Sequence, residues 1–527
     1  MRRPPTINRC NPGKVRRAPR LDKRAACHYV YLMGISEHPA IRVENVGGPS
    51  QPGGQAHRPS RFWRATVPLV VLAVTAVGLR LAAARGDLVL DEIWSWLIAS
   101  QAESAWQIFV MPVDNNHILN TLVLYALGPK APLWAYRLPA VLAGSLALWF
   151  AYRLARRQGR VAPISILTLL GFSHVLILFG TEARGYGYVA CCTLAAWWAI
   201  EKYLDRPQLR YARAFGLASS LGFLSHLTFM FAYLALGVYS AMKMRLRRGG
   251  WRRLVVLNRL PVLTCILLLF TYVLGMAIGG GTQSPLFDTL LATLSLMAGG
   301  PERGVAAYVA AFVMAALLAI SLAAECRLDR ARGVMYLTAI FVWPAVVLAV
   351  TGHAFVYPRY FLVPMIFGYV AVGSLFARWF QAGRFGRSAV SLLLVGYVAC
   401  NLVPVVSLIG QGRGQYSTAV RWMAEHTAGP AVTVASDHDF RNWLVAGFYA
   451  DRDSQAYSES GKTLVYVNQT EYPGQGTEWF LRHSFSGESA PPDSLTDPFG
   501  NKYELVQVFP SGSISGWTWW LYRHTRV

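Results

Sequence analysis

Apolar residues in this chain gather into long runs separated by short polar stretches. Eleven such runs fall near 66–84, 133–152, 162–180, 186–204, 212–224, 227–242, 254–275, 304–324, 334–351, 360–379 and 389–409. Most are roughly 18–24 residues long, enough for a helix to cross a hydrocarbon core of ~30 Å. The stretch 212–242 is one continuous run with Ser225 and His226 near its middle, and it reads as two short helices joined by a tight turn. Two further segments, 92–104 and 117–127, have helical character but are too short to span. In the second, Ile118, Leu119, Leu122, Tyr125 and Ala126 recur at helical spacing, which fits a helix lying at the membrane surface.

From about residue 411 the pattern changes. Helices are predicted at Tyr416–Ala428, at Phe440–Tyr449 and near 476–483, and strands at 431–435, 463–467, 503–509 and 517–523. Strands interspersed with helices predict a small mixed α/β sheet. The expected fold is therefore a polytopic α-helical membrane protein of about eleven transmembrane helices with a small α/β C-terminal domain. Its parts are a disordered basic tail over 1–60, a transmembrane region over 61–410 with surface helices in the loop 86–131, and a soluble domain over 411–527. Residues 1–60 show no short apolar core with a cleavage site, so no signal peptide is expected, and part of the tail upstream of Met33 reads as an over-long start.

Composition supports the membrane reading. Of 527 residues 54% are hydrophobic and 15% charged, with a mean hydropathy of +0.33, where a soluble chain carries about 25% charged residues. The net charge of +23 could point to nucleic acid, but its distribution argues against that partner. Five loops along the chain (153–160, 201–213, 243–253, 325–332 and 378–387) hold twenty Lys and Arg residues. The loops 86–131, 181–186, 276–303 and 351–359 hold only Lys130, Arg184, Arg303 and Arg359. The positive-inside rule then puts the N-terminus in the cytoplasm and the C-terminal domain outside it, as in a bacterial inner (plasma) membrane protein. The seven cysteines lack disulfide or metal-site spacing and read as buried small apolar residues.

With this topology, the polar clusters that could carry chemistry share the outer face. Asp91-Glu92 follows the first span directly and suits either a site acid or an interfacial helix cap. Asp114-Asn115-Asn116-His117 offers mixed donors and acceptors suited to hydroxyl-rich ligands, or forms a cap and turn. Glu182 and Arg184, in Thr181-Glu182-Ala183-Arg184-Gly185-Tyr186, read as site residues or as a local ion pair at a kink. Arg359, in Tyr357-Pro358-Arg359-Tyr360, reads as a phosphate ligand or as an arginine snorkelling to headgroups. No second His or acid stands at ligand spacing near His117, so neither a metal nor a cofactor is expected.

These clusters, taken in order with Arg137-Leu138-Pro139 and His226, resemble the GT-C class of membrane glycosyltransferases. The likeness is to the protein O-mannosyltransferase and lipid A aminoarabinose transferase superfamily, and it covers roughly 66–380. Many relatives read Asp-x-His-Pro-Pro where this chain reads Asp114-Asn115-Asn116-His117-Ile118-Leu119. The resemblance implies a GT-C-like fold and an inverting transfer of sugar from a polyprenyl-phosphate donor, without a nucleotide-sugar site. The acceptor would be a lipid, glycan or protein. It implies Asp91 as the catalytic base, with Arg184 and Arg359 meeting the departing phosphate. Glu92, Asp114, Asn115, His117, Glu182, Tyr186 and Tyr360 are expected to bind substrate. Two other readings stay open, a transporter or flippase for lipid-linked sugars and a non-catalytic assembly subunit. No internal hydropathy repeat supports the first.

Overall fold

The computed structural model describes residues 61–111, 113, 117–245, 249–276, 285–352, 356–468, 474–485 and 490–525. The basic tail, Asp114 and Asn115 lie outside them. Every predicted span falls on helix. Among the described residues, seven helices are long and apolar enough to cross a membrane, and an eighth is gained if one bent pair counts as a single span. The Tyr186–Asp205, Leu209–Ser225 and Phe229–Met244 helices are too short or too polar by the same measure. The chain is thus a polytopic α-helical membrane protein, with a small sheet domain after the last apolar helix.

The bent pair corrects the single span expected over 162–180. Helices Ala162–Phe172 and His174–Gly180 meet at 58°. Ser173 caps the second helix by accepting from Leu176 N, and its hydroxyl meets the Tyr369 hydroxyl at 2.9 Å. The backbone N–H of His174, freed by the break, donates to Asn401 Oδ1 at 2.8 Å. A broken helix is tolerated at membrane depth only when neighbours satisfy the backbone in this way. Helix Pro358–Gln381 runs through the middle of the bundle and is buried along nearly its whole length. Val67, Val70, Val71 and Val74 on the first span, and Leu263, Ile266 and Phe270 on another, point outward as lipid-facing residues do.

Helices form in both segments expected to lie at the membrane surface, at Leu90–Gln101 and Ile118–Leu127. A helix at Leu286–Ala298 lies in a loop where none was expected. Cys326 and Cys400, expected to be buried, are exposed on the outside of the bundle.

The C-terminal domain is a six-stranded mixed sheet of β1 (Ala431–Ser436), β2 (Thr463–Tyr466), β3 (Trp479–Ser484), β4 (Ser494–Thr496), β5 (Lys502–Phe509) and β6 (Thr518–His524), in the order β2-β1-β3-β6-β5-β4. β1 runs parallel to β2 and β3, and the other neighbours are antiparallel. The segment predicted as a helix near 476–483 is instead β3. Trp479, Phe480 and Leu481 are buried in succession, the signature of a central strand covered on both faces.

The sheet domain shares its core with helix Leu90–Gln101. Ile93 and Ala99 pack in one cluster with Val420, Val445 and Trp519. Trp94 and Trp96 meet Phe440 and Phe448 edge-on at 5.7 and 4.9 Å. The Asp87 carboxylate accepts from the Ser417 amide and hydroxyl at 2.6 and 2.8 Å, and Tyr449 donates to Leu88 O at 3.0 Å. The helix that begins with Asp91-Glu92 is therefore clamped between the bundle and the sheet domain.

Candidate functional site

Asp91 and Glu92 stand in the first turn of helix Leu90–Gln101, about 100° apart around its axis, so they face different surroundings. Glu92 points inward and is fully buried. Its Oε1 accepts from Arg137 Nε and Ala183 N, both at 2.7 Å, and its Oε2 accepts from Arg137 Nη2 at 2.5 Å and Val89 N at 2.9 Å. The Val89 bond is the backward-reaching half of a capping box. Arg137 spends its remaining donors on the carbonyls of Ala84, Arg85, Gly86 and Asp87. The Arg137-Leu138-Pro139 segment thus acts as a brace that ties the first loop to the second span. Glu92, expected to bind substrate, has every strong acceptor direction filled by the protein, and its role here is to hold the Arg137 brace and the 181–185 turn.

Asp91 points sideways toward the end of the bundle, with about a third of its side chain exposed. Its Oδ2 accepts from Arg184 Nη1 at 2.7 Å and from Arg359 Nη1 at 2.8 Å. Two guanidinium groups from segments 175 residues apart thereby share one oxygen. Their nitrogens must lie within about 6 Å of each other, since each is at hydrogen-bond distance from that atom. Among the described residues nothing hydrogen-bonds Asp91 Oδ1. Burial alone would push the Asp91 carboxyl up, but Arg184 and Arg359 together hold it below the usual carboxylate range, with Arg441 of the sheet domain adding to their field.

Arg184 is placed by the turn 181–185, where the chain passes closely under its neighbours. Asn120 Nδ2 donates to Ala183 O at 2.5 Å, and a Cβ on Gly185 would lie 1.7 Å from Ser225 O. Only glycine fits there. Arg359 is set by the short helix Pro358–Phe361, with Pro358 fixing φ in its first turn. Its guanidinium lies 4.8 Å from the Tyr357 ring and 5.8 Å from the Tyr360 ring, within cation–π reach.

Beside the arginines, the rings of His117, Tyr186 and His226 pack mutually at 4.9–5.1 Å. All three are buried. The Gly185 amide donates to His117 Nδ1 at 3.1 Å and the Thr228 amide to His226 Nδ1 at 3.0 Å. A backbone N–H can only donate, so both rings accept at Nδ1 and, when neutral, carry the proton on Nε2. Ser225 O, 3.3 Å from the same His117 nitrogen, is then a polar contact rather than a hydrogen bond. Burial and the Arg184 charge push both imidazoles down, His117 well below its ordinary range and His226 to about 3, so neither is charged near neutrality. The buried Tyr186 hydroxyl, Arg184 Nε and Arg359 Nε have no hydrogen-bond partner among the described residues. Each such unmade bond costs about 1–3 kcal/mol unless a ligand or water supplies it.

Glu182 is fully buried behind Arg184, 4.0 Å from its Nη1 and 3.8 Å from Arg413 Nε. Burial pushes its carboxyl up, against the pull of Arg413 and then Arg184. Arg413 did not emerge from the sequence reading. It leaves the last apolar helix, is fully buried, and donates to Ala83 O, Leu178 O and Thr181 Oγ1 at 2.7–2.8 Å. The signal was present, a lone arginine between Gly412 and Gly414 just past an apolar run. Arg441, also missed, is held on the sheet domain. It bonds His483 Nε2 at 2.9 Å, and His483 Nδ1 in turn meets Asp437 Oδ1 at 2.9 Å. Among the described residues no group of three or more His, Cys, Asp or Glu side chains is arranged to hold a metal ion.

Of the expected site residues, the structure brings Asp91, Arg184, Arg359, Tyr360, Tyr186 and His117 together. His226, which the resemblance also named, joins them. Glu182 lies directly behind this group.

Residues 121–278 match the model of the dolichyl-phosphate-mannose-protein mannosyltransferase family. That stretch contains Arg137, Glu182, Arg184, Tyr186 and His226, and over it the resemblance to membrane glycosyltransferases is borne out. Among solved structures, ArnT from Cupriavidus metallidurans bound to undecaprenyl phosphate is similar at 13% identity with a TM-score of 0.46, over 88% of this chain and 98% of that one. The archaeal oligosaccharyltransferase AglB from Archaeoglobus fulgidus, in complex with an inhibitory peptide and a dolichol-phosphate, is similar at 10% identity with a TM-score of 0.44, over 80% of this chain and 70% of that one. No curated protein sequence matches the chain.

Proposed function

We propose that the protein is an inverting glycosyltransferase that moves a sugar from a polyprenyl-phosphate carrier to a lipid, glycan or protein acceptor at the extracytoplasmic face of the membrane. The observation that carries this reading is the sharing of Asp91 Oδ2 by Arg184 and Arg359, a carboxylate and two cations meeting at one point at the end of the bundle. The match to a mannosyltransferase family over 121–278 supports the reaction class. The excess of twenty Lys and Arg over four in alternating loops supports the orientation.

In this mechanism Asp91 takes the proton of the acceptor hydroxyl as its oxygen attacks the anomeric carbon. The bond from that carbon to the phosphate oxygen breaks, and the electron pair leaves with the carrier phosphate. Arg184 and Arg359 meet the charge that develops on it. A carrier phosphate competes with Asp91 for the same guanidinium protons. Donor binding therefore loosens the hold on Asp91 and makes it a better base at the point where the acceptor arrives. Incubation of the purified protein with a panel of polyprenyl-phosphate sugars and extracted envelope acceptors tests the reading by mass spectrometry. Release of the lipid phosphate together with glycosylated product is expected. Intact donors across the panel, with protein that binds none of them, would overturn it.

A further inference from the structure

We infer that the carrier phosphate is seated not by the two arginines alone but in a cage completed by three neutral donors, the Tyr186 hydroxyl and the Nε2–H groups of His117 and His226. The inference rests on the polyprenyl-phosphate reading and adds the neutral part of the anion site to it.

The three rings form one triangle with spacings of 4.9–5.1 Å, and the Arg184 guanidinium lies 5.1 Å from the Tyr186 ring. The Tyr360 ring, 6.1 Å from His226, joins this triangle to Arg359. The Tyr186 hydroxyl is buried without a partner. Each histidine spends Nδ1 on a backbone amide, which leaves Nε2–H as its free donor. Among the described residues neither Nε2 meets an acceptor. Arg184 Nε and Arg359 Nε are likewise buried donors without acceptors. The unpartnered oxygens of Glu182 come no closer to Arg184 than 4.0 Å, beyond hydrogen-bond reach, so these donors fit a group that only accepts, and a phosphate bearing several oxygens is such a group. A sugar hydroxyl, which must also donate, is served less well. Burial first, and then the two positive charges beside them, keep the histidines uncharged, so the cage adds hydrogen bonds without further positive charge. The departing phosphate can then be held through the transfer and still released afterwards.

The test is binding of undecaprenyl phosphate to the purified full chain, with undecaprenol as the uncharged control. Tyr186→Phe removes one oxygen that has no partner in the protein. It should leave thermal stability unchanged or slightly raised while weakening undecaprenyl phosphate by about tenfold. His226→Met should weaken it similarly, and His226→Gln, which restores an N–H donor, should recover part of the loss. Undecaprenol binding should not change. Affinity should not rise between about pH 7.5 and 5.5, as it would if the histidines took up charge there. Native affinity in both Tyr186→Phe and His226→Met, or equal losses for undecaprenol, would overturn the cage. Failure of the native protein to bind undecaprenyl phosphate at all would instead overturn the carrier-lipid reading beneath it.

Discussion

Glu92→Gln is close to isosteric, yet the structure makes it a severe change. Whichever oxygen becomes the amide nitrogen, two donors that now meet an acceptor face an N–H instead. These are Arg137 Nε and Ala183 N on one side, or Arg137 Nη2 and Val89 N on the other. The Arg137 guanidinium, itself fully buried, keeps its four carbonyl partners but loses its counter-charge. Breaking a buried pair from one side costs about 3–5 kcal/mol, a large share of the roughly 5–15 kcal/mol that holds a typical domain folded. Thermal unfolding of the detergent-solubilised protein, followed by tryptophan fluorescence, should show a clear drop in the midpoint. The double variant Glu92→Leu with Arg137→Met, which removes both charges, should recover much of it. A Glu92→Gln protein with native thermal stability but lost donor binding would refute this assignment and return Glu92 to the substrate.

Two other outcomes follow from the same geometry. Gly185→Ala would place a methyl group 1.7 Å from Ser225 O and 2.7 Å from His117 Nδ1. It should displace Arg184 and abolish undecaprenyl phosphate binding, and native binding by this variant would show that the turn is not fixed as described. A cysteine at exposed Glu459, on the sheet domain, should be labelled by a membrane-impermeant maleimide from outside intact cells. Labelling only after permeabilisation would reverse the orientation.

The apolar runs were legible because the length of a membrane crossing is imposed by the bilayer, and all eleven fall on helix. The break at Ser173 was not, because what makes it tolerable is Asn401, 227 residues away from the amide it satisfies. Strand β3 was misread as a helix because a short run such as Trp479-Phe480-Leu481 has no periodicity of its own, and only its pairing with β1 and β6 decides it. At the site, a common face for Asp91, Arg184 and Arg359 could be read from loop charges. The division of labour between two adjacent acids could not. Asp91 and Glu92 differ by one position on a helix, and the brace from Arg137 that claims Glu92 comes from 45 residues further on. Arg413 and Arg441 were hidden for a similar reason. Both belong to the segment after the last span, and their importance depends on how the sheet domain settles over the surface helix.

In the proposed transfer Asp91 is the base, and Arg184 and Arg359 meet the leaving phosphate. Asp91→Asn keeps the shape of the side chain and removes its proton-accepting charge. Single-turnover sugar transfer, measured alongside undecaprenyl phosphate affinity on the same preparation, tests that role. Transfer should fall by about 10²-fold or more. Carrier affinity should hold or tighten, because the carboxylate that competes for the two guanidinium groups is gone. Transfer at the native rate by Asp91→Asn would rule Asp91 out as the base.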